Sequence, residues 1–168
     1  MDELMKELTD MLLDFKYPKN TTRKNIMNEG DTSYYGFVLG KVRSWAHKDR
    51  DIHPGIHIRD SGRTNCKKYI PLYNLAREVA ADYEFTTIQF NKNYQCNKHI
   101  DKNNVGLSQI IGFGDYEGGE LLVYYDGPDA PPTAVDIRNR FHEFNGAKYY
   151  HETAPFTGER HTLVFYNL

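Results

Sequence analysis

From Phe85 to Tyr166 the chain is a succession of short β-branched and aromatic runs, cut at close intervals by turn residues. FTTIQF, SQIIGF, ELLVYY, TAVDI, KYYHET and RHTLVFY are separated by stretches such as GDYEGG, DGPDAPP and APFTGE. Val, Ile, Thr, Tyr and Phe suit a pleated surface, and the Gly, Pro and Asp clusters between them are turn signals. The 13 Tyr and 9 Phe agree with a strand-rich chain. APFTGE, with Pro155 and Gly158, reads as a hairpin-like connection between KYYHET and RHTLVFY.

The N-terminal half reads differently. Leu4, Leu8, Met11, Leu12 and Phe15 recur at helical spacing, and the Tyr17–Pro18 step ends that helix. Tyr34 to Val42 reads as a strand and residues 47–66 as a long polar loop. Pro71 opens a second helix, LYNLAREVAADY, with Leu72, Leu75, Ala76 and Val79 on one face. A chain of 168 residues suits one domain, with helical support over about 1–83 and a β core over about 84–168. One or two helices followed by short strands point to a mainly β fold with supporting N-terminal helices. A double-stranded β-helix, or jelly roll, fits best.

No apolar run approaches the roughly 20 residues of a membrane span, so no membrane partner is expected. The first residues, MDELMKELTDMLLDF, are acidic and lack a small-residue cleavage site, which reads as a helix in an intracellular protein. Cys66 and Cys96 form no CxxC pair and read as reduced thiols. The net charge of −2 argues against gross binding to polyanions. Between Lys41 and Lys68, however, eight Lys/Arg stand against three Asp, a local +5, with His47, His53 and His57 in addition. This segment reads equally as a solvated loop and as a patch that tracks phosphates.

His99 and Asp101 stand two apart in HID. In an extended segment residues i and i+2 share a face, so an imidazole nitrogen and a carboxylate oxygen can reach one metal. Such a triplet alone is commonly accidental. It gains meaning from a distant second histidine, because two histidines and one carboxylate hold one face of an iron and leave its other positions open. His142, His151 and His161 are the candidates. His151 is followed nine residues later by Arg160. Antiparallel strands would turn that guanidinium toward the same cavity, where it can grip the far carboxylate of a dicarboxylate. His142 has no such partner, and His161 has too little chain after it. Separately, His151 could be a core histidine and Arg160 a surface residue beside Glu159. Together with HxD they point to a metal centre of His99, Asp101 and His151.

These residues resemble the pattern of the Fe(II)/2-oxoglutarate-dependent dioxygenase superfamily: HxD, a distal His, then Arg or Lys on the next strand. The resemblance covers roughly residues 85–166 and includes GFGDYEGGELLVY, similar to the strand–turn–strand after HxD in many members. It implies Fe(II) on His99, Asp101 and His151, 2-oxoglutarate as cosubstrate with Arg160 on its far end, and O2 as oxidant. The products would be an oxidised substrate, succinate and CO2. HIDKNN, the run FTTIQFNKNYQCNKHIDKNNVGLS and PFTGERHTLVFY most resemble small algal and viral members of the branch holding the ten-eleven-translocation and J-binding-protein oxygenases. Those enzymes oxidise methyl groups of pyrimidine bases. That likeness implies a place beside the target base for Asn104, for which a turn role in KNNVG is the alternative. The large cysteine-rich and inserted regions of the animal enzymes are missing from this sequence. Thr162 could add a hydroxyl to the carboxylate held by Arg160, or pack as an ordinary strand residue. Asn91 or Asn93 could meet the near carboxylate, or cap the turn at NKNYQ.

The expected activity is thus oxidation by an Fe(II) and 2-oxoglutarate enzyme. The leading substrate is a methyl-bearing pyrimidine in nucleic acid, and the alternative is a peptide side chain such as proline. The triad is common to both. The basic segment favours nucleic acid, whereas net acidity and small size favour a peptide or small molecule. A zinc hydrolase could use the same ligands, but it has no need of a dicarboxylate clamp. A non-catalytic binding module has no need of the triad.

Overall fold

The computed structural model describes residues 2–45 and 56–168. Asp2 starts the first helix, α1 (Glu3–Asp14), by accepting a hydrogen bond from Leu4 N at 2.8 Å, which satisfies one of the free amides of the first turn. The predicted apolar stripe is buried at Leu8 and Leu12. The second helix, α2 (Ile70–Val79), has Pro71 in its first turn. It stops short of the predicted Tyr83, because Ala80 leaves helical geometry and is itself fully buried.

Turns, loops and one short 3-10 helix join the other regular elements, which are antiparallel strands. In order these are β1 (Lys19–Asn20), β2 (Tyr34–Trp45), β3 (Ile56–Asp60), β4 (Thr87–Lys92), β5 (Ser108–Phe113), β6 (Tyr116–Gly118), β7 (Leu121–Val123), β8 (Thr133–Val135), β9 (His142–Phe144), β10 (His151–Thr153), β11 (Phe156–Gly158) and β12 (His161–Tyr166). The large sheet runs β1-β2-β4-β12-β5-β9, with β3 also on β2; the small sheet runs β10-β7-β8, and β11 pairs with β6. This is the expected mainly β jelly roll with two supporting helices. The N-terminal half gives more than helical support, since β1, β2 and β3 extend the large sheet. Part of the predicted 47–66 loop is also structured: residues 56–60 form β3 and Gly62–Asn65 a 3-10 turn. Residues 46–55 of that loop lie outside the described residues.

Alternation within the strands creates two separate interiors. Phe37, Leu39, Ile88, Phe90, Ile111, Phe113, Leu163 and Phe165 pack with the helix residues Leu8, Leu12, Leu72 and Leu75. Phe37 and Phe90, directly opposed across β2 and β4, stack at 4.7 Å and 12°. The intervening residues face the other way. On β4 and β12 these are Gln89, Asn91, Thr162 and Val164, and they line a cavity of about 520 Å³. A period of two therefore puts apolar side chains under the helices and polar ones around a cavity.

One connection differs from its sequence reading. KYYHET and RHTLVFY do not form a hairpin: β10 pairs with β7, while β12 pairs with β4 and β5. APFTGE contains its own strand, β11, and carries the chain from the small sheet to the large one. Gly118 and Gly158 make this close crossing possible. Both have positive φ, and a Cβ on either would run into the backbone of the opposite strand.

His161 faces the helix side of β12 and is fully buried. Its Nδ1 meets the Tyr17 hydroxyl at 2.9 Å and its Nε2 meets Glu159 Oε1 at 3.1 Å. Burial lowers its pKa, and this outweighs the opposing effect of Glu159. Below an unfolded histidine pKa of about 6.5 the unfolded chain therefore holds a proton that the folded protein lacks. Stability should fall as pH drops through that window, with this group contributing up to about 1.4 kcal/mol per pH unit. Urea midpoints measured from about pH 7 to about pH 5 should show a shallower decline for His161→Gln than for the parent. Parallel declines would show that His161 does not carry the proton.

Candidate metal centre

His99 and His151 are brought together by main-chain pairing. They form an isolated antiparallel bridge, with His99 N donating to His151 O at 3.0 Å and His151 N to His99 O at 2.9 Å. His151 begins β10, whereas His99 lies outside any regular strand. Asp101 follows in irregular chain, fixed by its N–H to Gly146 O at 2.9 Å. The i, i+2 relation of HID thus works without the strand that the sequence suggests.

The ligand atoms converge. His99, Asp101 and His151 each offer one within 4.8 Å of the others. Asp101 Oδ2 lies 3.3 Å from His151 Nε2, and Oδ1 lies 3.6 Å from His99 Nε2. On each ring the other nitrogen is already engaged: His99 Nδ1 with Asn97 O at 2.6 Å, and His151 Nδ1 with Tyr149 O at 2.9 Å. Each Nδ1–H donates to its carbonyl, which leaves the Nε2 lone pair free to face a metal. Burial, reinforced by the nearby His151, pushes the His99 pKa down to about 4, although the Asp101 charge opposes the shift. His99 is therefore neutral near pH 7, the form that binds metal. Burial acts to raise the Asp101 carboxyl, but the neighbouring His151 and His99 rings and the Arg23 guanidinium hold it below the usual carboxylate range. Two imidazole nitrogens and a carboxylate form a donor set that fits Fe(II) with positions left open.

Arg160 lines the same cavity and is buried. Its main chain is clipped in both directions by Asn93: Arg160 N donates to Asn93 Oδ1 and Asn93 N to Arg160 O, each at 2.7 Å. Its Nε and Nη2 donate to Gly119 O at 3.2 and 2.9 Å. The guanidinium carbon lies 5.6 Å from the Tyr116 ring centroid and 5.4 Å from that of Phe156. A guanidinium held this way loses little freedom when it receives a carboxylate. Thr162 and Asn91 are cross-strand partners, and both line the cavity. Asn93 is instead exposed, beyond the end of β4 at φ 49°, with its side chain used to fix Arg160.

Among the described residues, neither of the other histidine candidates lines this cavity. His142 sits on β9 near the Tyr125 hydroxyl at 3.5 Å, and His161 faces the helices. Asn104 lines the cavity, its N–H donating to Asp101 O at 3.1 Å. Among the described cations of the basic segment, Lys41, Arg43 and Lys68 are engaged separately. Lys41 pairs with Asp60 at 2.7 Å, and Lys68 Nζ donates to Lys16 O at 2.7 Å beyond the end of α1. Arg43 reaches the cavity rim and donates to Asn103 O at 2.9 Å, while Arg59, Arg63 and Lys67 are exposed. Lys48, Arg50, His47 and His53 lie outside the described residues.

Gln89 and Arg23 are among the cavity residues that the sequence reading did not single out. Gln89 alternates with Ile88 and Phe90 just as Asn91 does, so the same period-two argument could have found it; its Nε2 donates to Asn91 Oδ1 at 3.0 Å. Arg23, in TTRKN, carries no sequence signal. Its Nη2 donates to Asp101 Oδ1 at 3.2 Å.

No protein-family model and no curated protein matches the sequence. Solved structures do share its fold. An oxidoreductase of the 2OG-Fe(II) oxygenase family from Burkholderia pseudomallei superposes with a TM-score of 0.61 at 15% identity, over 96% of this chain and 76% of that one. NgTET1 in complex with 5mC DNA gives 0.59 at 13% identity, over 99% and 68%. OsALKBH1 gives 0.53 at 12% identity, over 100% and 92%. At these identities the likeness establishes the jelly-roll fold. No described helix is long and apolar enough to cross a membrane.

Proposed function

We propose that this chain is a single-domain Fe(II)- and 2-oxoglutarate-dependent dioxygenase. One observation carries the reading: a buried His99–Asp101–His151 group shares a cavity with a buried, pre-positioned arginine. The triad alone would also suit a hydrolytic zinc site. Arg160 adds a fixed cation suited to a carboxylate, as a dicarboxylate cosubstrate requires.

His99, Asp101 and His151 would hold the iron. Arg160 would hold the far carboxylate of 2-oxoglutarate, with the Thr162 hydroxyl on the same cavity face and Asn91 opposite it in register. Bound Fe(II) with 2-oxoglutarate would supply the activation of O2, placing one oxygen atom in the substrate and the other in succinate with release of CO2. The protein's own contribution is positioning and exclusion of water, for which buried walls at Gln89, Asn91 and Thr162 are suited.

For the substrate we propose a methyl-bearing pyrimidine in nucleic acid. Arg43, Lys102 and Asn104 lie at the cavity rim, where cations can meet phosphates and an amide can meet a base edge. The likeness to a fold-mate in complex with 5mC DNA points the same way. The target base must leave a duplex stack to reach a buried centre, so single-stranded or mismatched DNA should react at least as well as duplex. The test is substrate-dependent succinate formation across oligonucleotides and peptides, with mass spectrometry of the products. Binding should weaken steeply with salt, and Arg43→Gln with Arg59→Gln should lower affinity across sequences without changing the product. A salt-insensitive reaction with a proline-containing peptide, and none with any oligonucleotide, would assign the chain to side-chain hydroxylation instead.

A further inference from the structure

The segment between β1 and β2 is built against the metal centre rather than draped over it. Ile26 and Met27 are buried with Tyr34, packed by Tyr94 and Cys96. Asn97 N donates to Ile26 O at 2.8 Å, Asn28 Nδ2 to Gln95 O at 2.9 Å, and the Tyr94 hydroxyl to Asp31 at 2.7 Å. These contacts dock the segment on residues 94–97, the stretch that leads directly into His99. At the other end Asn20 Oδ1 accepts from the N–H groups of Thr22 and Arg23 at 2.9 and 3.3 Å. Arg23 is therefore held from both sides, and its guanidinium enters the cavity, with Nη2 3.2 Å from Asp101 Oδ1.

A carboxylate can bind a metal through one oxygen or through both. When both oxygens bind, they take two coordination positions; a strong donor fixed on one oxygen favours binding through the other. Asp101 Oδ1 lies 3.2 Å from Arg23 Nη2 and 3.6 Å from His99 Nε2, while Oδ2, without the arginine, lies 3.3 Å from His151 Nε2. We infer that Arg23 is a positioning residue that reserves Oδ1 of Asp101, so that the carboxylate spends one coordination position on the metal and leaves another open for the cosubstrate. This rests on the reading of His99, Asp101 and His151 as a metal centre. It gives the N-terminal segment a part in the chemistry that neither HxD nor the distal His–Arg pair contains.

The test uses the full chain loaded anaerobically with Co(II), whose visible absorption reports coordination number, together with titration by 2-oxoglutarate. Arg23→Met keeps the length of the side chain and removes its donors, and Arg23→Lys restores one point-like donor. Arg23→Met should still bind Co(II), its affinity lowered by no more than the about 10–100-fold typical of outer partners at metal sites, and should shift the Co(II) spectrum and weaken 2-oxoglutarate by about tenfold or more. Arg23→Lys should recover part of both changes. A spectrum and a 2-oxoglutarate affinity matching the parent in Arg23→Met would overturn the inference. So would equal unfolding of both metal-free variants by circular dichroism, which would make Arg23 a structural residue. If Asp101→Ala binds Co(II) as tightly as the parent, the metal-centre reading itself fails, whatever Arg23 does.

Discussion

Asp101→Ala and His99→Ala are each expected to lose Fe(II) binding by more than about 100-fold, since removing only an outer partner of a ligand costs about 10–100-fold. Anaerobic addition of Fe(II) and 2-oxoglutarate to the parent should produce the visible charge-transfer band of a metal-chelated keto acid. Both variants should lack it, and substrate-dependent succinate formation with it. The effect is large because the three ligand atoms lie within 4.8 Å of one another, with little redundancy. His142→Ala is the matched control: His142 lies on β9, away from the triad, and its loss should leave the band intact. A band that survives in Asp101→Ala and His99→Ala would remove the metal assignment. A band lost only in His142→Ala would move the distal ligand to another strand.

Replacing Arg160 should separate cosubstrate from metal. Charge-assisted hydrogen bonds to a carboxylate are worth about 1.5–3 kcal/mol, so Arg160→Gln should weaken 2-oxoglutarate by roughly 10- to 150-fold and leave Fe(II) affinity near the parent value. Glutamine is preferred to alanine because Gly119 O accepts from two nitrogens of the guanidinium, and an amide can still donate there. A keto acid without the far carboxylate, 2-oxobutyrate, supplies the control. It should bind the parent and the variant equally. Equal weakening of both keto acids would show that Arg160 supports the cavity wall and is no carboxylate clamp.

The connection that delivers Arg160 shows where sequence reasoning stopped. Nine residues from His151 to Arg160 suggest adjacent strands, yet β10 and β12 belong to different sheets and β11 lies between them. A hairpin and a crossover of this length contain the same turn residues. What separates them is the pairing of β11 with β6, about 40 residues earlier in the chain. Pairing partners distant in sequence leave no local signature.

The sequence by itself determined the local chemistry. Its period-two alternation fixed which side of β4 and β12 is apolar, the turn residues fixed where strands end, and HID with a distal His and Arg supplied the donor types. Tertiary structure decided which donors meet. It joined His151, the histidine already preferred from its spacing to Arg160, to His99 through a two-bond bridge, and it turned Asn93 from a cavity residue into the clip on Arg160. It also brought Arg23, 78 residues away, onto Asp101. The physical reason is one of range. Side-chain periodicity is a property of a few consecutive residues, whereas a site assembled from five separate stretches of chain exists only once the sheets close around it and bury its polar groups together.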